Sequence, residues 1–135
     1  MVGLIKSIDP KHPVTCGLHA ASLVDDNGLW ISEIFAETDV AVMHSYPMYA
    51  AGWSRADLDT DFVPYTCALV SALCGKPTLM EEFGGCTAPD NGASQYWEWE
   101  AYGNHKRQFM ASDEALAEYM EAVLPSWWKS GRLAR

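Results

Sequence analysis

The stretch "TDVAVMHSYP", residues 38 to 47, decides how this chain is read. Val40, Ala41, Val42 and Met43 are apolar without interruption, and the run closes on Pro47. A strand with one face in water alternates apolar and polar residues, whereas an unbroken run suits a strand covered on both faces, as in a parallel sheet. Parallel neighbours cannot be joined by a tight turn, so helices are expected on either side of this run.

The flanking sequence fits that expectation. Downstream, the polar loop "MYAAGWSRADLDTD" leads into Val63, Cys67, Val70 and Cys74 at helical spacing. Asp61 is placed to cap this helix, Pro64 is tolerated in its first turn and Gly75 is placed to stop it. "KPTLMEEFG", residues 76 to 84, then reads as a strand. Upstream, "DDNG" at 25 to 28 is a turn, and Leu29, Trp30, Ile31, Ile34 and Phe35 predict about two to three turns of helix. "HPVTCGLHA", residues 12 to 20, reads as another strand, and "LIKSID", residues 4 to 9, as the tail of a preceding helix. Residues 84 to about 111 read as a long loop holding Cys86, Asn91, Trp97, Trp99 and Tyr102. A last helix begins near Ser112, Asp113 and Glu114 and runs through Leu116, Met120 and Val123 toward Trp127, with Pro125 expected to kink or break it.

Strand followed by helix, repeated about three times, predicts an α/β chain with parallel pairing. Three such units are too few for a doubly wound sheet. They fit a single partial domain, residues 1–135, cut from a (β/α)8 TIM barrel that needs about 250 residues when complete. "KSGRLAR" stops where a further strand is expected.

Composition narrows the function. The 135 residues carry 9 basic and 18 acidic side chains, a net charge of −9, and such a field repels nucleic acid. No apolar run approaches the ~20 residues of a membrane span. The N-terminus lacks a signal-peptide core, which leaves location open between cytoplasm and, for a chain truncated upstream, secretion. Cys16, Cys67, Cys74 and Cys86 show no CxxC spacing, so free thiols are expected rather than a disulfide framework or a metal site.

In barrels, reacting groups gather at the C-terminal ends of the strands. His19 stands there on the first strand, His44, Ser45 and Tyr46 on the second, and Glu81 and Glu82 on the third. Alternation puts His44 and Tyr46 on one side and Ser45 on the other, and it sends Glu81 and Glu82 in opposite directions. Two adjacent carboxylates closing an apolar run are costly unless paired, so they point to a task.

These residues resemble a family. "KPTLMEEFGG" resembles the seventh-strand segment of clan A glycoside hydrolases, above all family 5, the cellulase and β-mannanase group. "MHSYP" resembles the His-x-Tyr of the preceding strand, and "IDPKHPVTCGLH" the segment leading into the fifth. The resemblance runs from about residue 4 to the final helix and implies strands 5 to 7 of the barrel, without its N-terminal half or its last strand. It implies that Glu82 is the catalytic nucleophile, that His44 lines the cleft and that Tyr46 donates to Glu82. Glu81 is expected to be structural, and Trp53, Trp97 and Trp99 to bind substrate by stacking on sugar rings. The implied partner is a β-linked oligo- or polysaccharide such as glucan or mannan, with no cofactor and no metal.

Retaining glycosidases use two carboxyl groups about 5–5.5 Å apart, one as nucleophile and one as acid/base. The family's acid/base lies in an Asn-Glu-Pro segment, and no Asn-Glu occurs here. The expectation is therefore a fragment of a retaining β-glycoside hydrolase, inactive alone, with open sheet edges that invite self-association. The alternative is a non-catalytic carbohydrate-binding half-barrel using the Trp-rich loops.

Overall fold

The computed structural model describes residues 1–50 and 52–130. Residues 131–135, where the sequence expects a cut before a further strand, lie outside the described residues. In chain order the elements are α1 (Val2–Ile8), α2 (Ile31–Ile34), β1 (Ala41–Ser45), α3 (Phe62–Cys74), β2 (Thr78–Phe83), β3 (Gln95–Ala101), β4 (Asn104–Met110) and α4 (Asp113–Ser130).

The centre is a β1–α3–β2 unit. β1 and β2 pair in parallel from Ala41↔Thr78 to Ser45↔Phe83. Ala41, Val42 and Met43 are fully enclosed, as their unbroken apolar run requires. α3 sets Val63, Thr66, Cys67 and Val70 into the same core, which Phe35, Met80 and, from α4, Tyr119 and Val123 complete. Gly75 ends α3 in the left-handed conformation, φ 64°, where a side chain is disfavoured. Asp61 occupies the cap position without a capping hydrogen bond, because its carboxylate is held by Arg55.

Four sequence expectations need correction. Residues 12 to 20 are not a regular strand. The segment lies along β1 in parallel, joined by one bridge, His19↔His44, and by the bonds His44 N–H to Leu18 O (2.8 Å) and Asp39 N–H to Val14 O (3.0 Å). Side chains replace the other ladder bonds: Asp39 accepts from the Val14 amide at 2.7 Å, and Thr15 donates to Val40 O at 2.9 Å. α2 is a single turn rather than two or three, since Asn27 accepts from the Leu29 amide and holds the preceding turn, while Lys76 Nζ binds the carbonyls of Phe35, Ala36 and Thr38 just beyond. Of the two outcomes expected at Pro125, the break is excluded, because α4 runs through it to Ser130; Pro125 is exposed, so the carbonyl it leaves without an amide partner can face water.

The fourth correction is the largest. Residues 95 to 110 form an antiparallel ribbon, β3 with β4, in place of a loop. Tyr102 and Gly103 both have positive φ (53° and 73°), the backbone of a two-residue hairpin turn that matches strand twist. The ribbon is almost wholly exposed and is held by its own pairing, by Tyr96 edge-on to Phe109 at 5.4 Å and by Arg107 over the Tyr96 ring at 4.6 Å. The molecule is thus mixed α/β, with two two-stranded sheets, four α-helices and no closed barrel among the described residues.

Candidate active site

Ser45 is buried, and its hydroxyl meets that of Thr66 on α3 at 2.6 Å. That bond fixes the end of β1 and leaves His44 and Tyr46 on the opposite side. Met43 pairs with Met80, but His44 pairs with Glu82, so Glu81 is the extra residue of a β-bulge.

The bulge overturns simple alternation at the two carboxylates. His44 Nε2 lies 2.7 Å from Glu81 Oε2, and Nδ1 of the same ring lies 3.5 Å from Glu82 Oε2. Both glutamates therefore converge on one imidazole instead of pointing apart. Gly17 makes this possible, because a Cβ there would stand 2.7 Å from His44 Cε1, 2.8 Å from Nε2 and 3.1 Å from Glu81 Oε2. The Tyr46 hydroxyl donates to Glu82 Oε2 at 3.2 Å. Glu82 Oε1 makes no hydrogen bond among the described residues, and the side chain is 51% exposed, so one oxygen of this carboxylate faces open space.

Tyr46 is flanked by aromatic rings. His19 stacks on it at 6.3 Å with planes 13° apart, and Tyr49 sits 5.5 Å from Tyr46 and 6.0 Å from His19. His19 Nδ1 accepts from the Ala21 amide at 3.0 Å, which leaves any ring proton on Nε2. Burial, then the neighbouring His44, lowers the His19 pKa against the pull of Asp25 and Glu82. Burial, then the Glu82 charge and hydrogen bond, raises the Tyr46 phenol above its ordinary 10.0, so it remains a donor at neutral pH. Tyr49, whose hydroxyl lies 3.2 Å from Cys86 Sγ, is pushed up to about 12 by that hydrogen bond and by burial.

Of the residues singled out by sequence, Glu82, His44 and Tyr46 come together, and His19 joins them. The three tryptophans do not touch them. Trp53 is half-buried, edge-on to Phe62 at 4.8 Å, and packs against the core. Trp97 and Trp99 pair on the exposed ribbon, 5.3 Å apart. Gly17 and Tyr49 were not singled out in the sequence, and Cys86 was read there only as a free thiol in a loop. Only Tyr49 had a usable signal, since the Tyr46–Pro47–Met48–Tyr49 spacing brings two rings together across one 3-10 turn. The four cysteines are free thiols. Among the described residues no His, Cys, Asp and Glu side chains cluster as metal ligands, and no helix is long and apolar enough to cross a membrane. No protein-family model, curated protein or solved structure matches the chain.

A carboxylate with one oxygen held by a neutral phenol and the other open is chemically a nucleophile or a base. Glu81 likewise has one oxygen, Oε2, held by His44, and is 47% exposed against 51% for Glu82.

Proposed function

We propose that this chain carries the nucleophile half of a retaining β-glycoside hydrolase, built as a piece of about three units of a (β/α)8 barrel and acting on β-linked glucan or mannan. One observation carries the reading: the Tyr46 hydroxyl lies 3.2 Å from Glu82 Oε2 at the C-terminal ends of adjacent parallel strands. Glu82 attacks the anomeric carbon as the bond to the leaving oxygen breaks, and a glycosyl ester forms. Tyr46 holds Oε2 and stabilises the ionised form of the attacking group. With an ordinary glycoside the chain is silent, because the leaving oxygen lacks its proton donor. A dinitrophenolate leaving group needs no proton, so the first step can run on this chain alone.

The test is incubation of the pure chain with 2,4-dinitrophenyl 2-deoxy-2-fluoro-β-glucoside and its manno counterpart, read by intact mass and peptide mapping. One adduct on Glu82 is expected. It is absent from Glu82→Gln and forms about ten- to a hundredfold more slowly in Tyr46→Phe, the range for losing a hydrogen bond to a charged group. No adduct, or one that persists in Glu82→Gln, removes the reading. The exposure of Trp97 (62%) favours a second reading, sugar binding without chemistry. That reading predicts binding in the same samples and no adduct.

A further inference from the structure

The row of side chains that ends in Glu82 has a third member. His19 bridges to His44 in parallel and His44 pairs with Glu82, so the three stand side by side across neighbouring extended segments. Paired residues of a parallel ladder project from the same face. His44, at the centre, is committed to the two carboxylates, through Nε2 to Glu81 and Nδ1 to Glu82. The outer members each keep a polar atom in reserve. Glu82 Oε1 makes no hydrogen bond among the described residues, and neither does His19 Nε2. Among those residues the buried polar side-chain atoms without a partner are the Thr78 and Tyr119 hydroxyls, so Nε2 of the half-buried His19 reaches solvent.

The imidazole of His19 is held in place from several directions. Nδ1 accepts from the Ala21 amide at 3.0 Å, Tyr46 lies nearly parallel to the ring at 6.3 Å, and Tyr49 is tilted against it at 6.0 Å. Because Nδ1 is an acceptor, the ring proton sits on Nε2. Burial, then His44, lowers the pKa of His19 against the pull of Asp25 and Glu82, so the ring is uncharged at neutral pH. A donor fixed in this way needs little further ordering when a ligand arrives. Uncharged, it donates a hydrogen bond but is no acid, which agrees with a chain that cannot protonate a leaving oxygen.

The surroundings select what this N–H recognises. An ammonium ligand offers it no acceptor. A carboxylate or phosphate offers one, but carries its charge up to Glu81 and Glu82. A hydroxyl oxygen accepts from Nε2 without bringing charge. Two strand spacings, about 10 Å between backbones, separate His19 from Glu82, so a ligand that meets both is the size of a ring with several hydroxyls. We infer that His19 is a further substrate-binding residue of the carboxylate site: its Nε2–H donates to a hydroxyl of the sugar whose anomeric carbon faces Glu82. That the hydroxyl belongs to a sugar rests on the proposed glycosidase reading; the open donor beside the carboxylates does not.

The experiment titrates the full chain, its histidine rings labelled with nitrogen-15, with cellotriose and with mannotriose, and follows the imidazole nitrogens by NMR. In the free chain His19 Nε2 is expected to be the protonated nitrogen, and to shift saturably with at least one of the sugars. Two substitutions separate the donor from the other duties of the ring, since both remove the stack on Tyr46. His19→Asn keeps an oxygen where Nδ1 accepts from Ala21, but falls short of Nε2. His19→Gln extends an amide N–H to that position and gives up the cap. His19→Asn is therefore expected to be the more resistant of the two to urea and the weaker binder, by at least about tenfold. A proton on Nδ1 in the free chain, no binding of either sugar, or binding that leaves Nε2 unmoved overturns the inference, and each is read on the parent even where a variant fails to fold. His19→Asn binding as tightly as His19→Gln overturns it as well. His19-dependent binding without a Glu82 adduct removes the nucleophile reading and keeps the donor; an adduct formed as fast in His19→Asn as in the parent does the reverse.

Discussion

Tyr119 on α4 is 3% exposed, and its hydroxyl has no hydrogen-bond partner among the described residues. A buried hydroxyl without a partner costs free energy, whereas the ring beneath it packs the core. Burial, then the Asp59 charge, pushes its phenol from 10.0 up to about 12, and burial alone pushes the Cys67 thiol from 9.0 up to about 11. Both groups hold their protons in the folded chain at a pH where the unfolded chain releases them. The contribution of these two groups is therefore intact at neutral pH and is lost as pH rises between about 9 and 12, with Tyr119 accounting for up to about 2 kcal/mol of the loss. Urea titrations across that range should show the slope, and Tyr119→Phe should flatten its upper part while leaving neutral stability within about 1 kcal/mol of the parent. A larger loss in Tyr119→Phe at pH 7 would mean that the hydroxyl has a partner after all.

At the scale of elements, the bulge in β2 and the extended segment beside β1 depend on each other. The bulge turns Glu81 toward His44, and Gly17 leaves room for the pair. Gly17→Ala drives a methyl group into the imidazole edge, and the expected result is a loss of about 1–3 kcal/mol in chemical denaturation, with slower labelling of Glu82. A variant as stable and as reactive as the parent would place the ring elsewhere. Much of this region was legible. The apolar run at residues 40 to 43, the helical spacing of Val63, Cys67 and Val70, and Gly75 each follow from local rules, and α3, β1 and β2 obey them. The meeting of Glu81 with His44 was not legible, since alternation holds only while register does, and a bulge leaves no mark in composition. The ribbon was missed for another reason. Trp97 and Trp99 alternate with Glu98 and Glu100 as a strand requires, but β3 is exposed along nearly its whole length, so there is no apolar stripe to set against the core.

For the molecule as a whole, the unprotected surfaces are the notable feature. No residue of α1 is buried, and Leu4, Ile5 and Ile8 face outward. Lys6 ties the helix down, through Asp39 at 2.7 Å and the His12 carbonyl at 2.9 Å. β1 and β2 make only a two-stranded sheet, and Leu79 on β2 is exposed. Exposed apolar side chains and unpaired strand edges favour association, while a net charge of −9 opposes it. Salt screens the second effect and not the first, with a Debye length of about 10 Å at 0.1 M. Light scattering should therefore show oligomers that grow with protein concentration and with salt, and Leu4→Lys with Ile8→Lys should suppress them. A monomer at every concentration and ionic strength would show that these surfaces do not attract one another.

The ribbon also has a practical side. Its tip, Tyr102–Gly103, projects with the tyrosine 99% exposed, and the core cluster draws no residue from between Gln95 and Met110. Foreign sequence grafted at that point, such as an epitope, a dye-bearing cysteine or a purification handle, extends a hairpin end that the interior does not use. The enclosed residues around Val42 and Met43 have no reason to register the insertion.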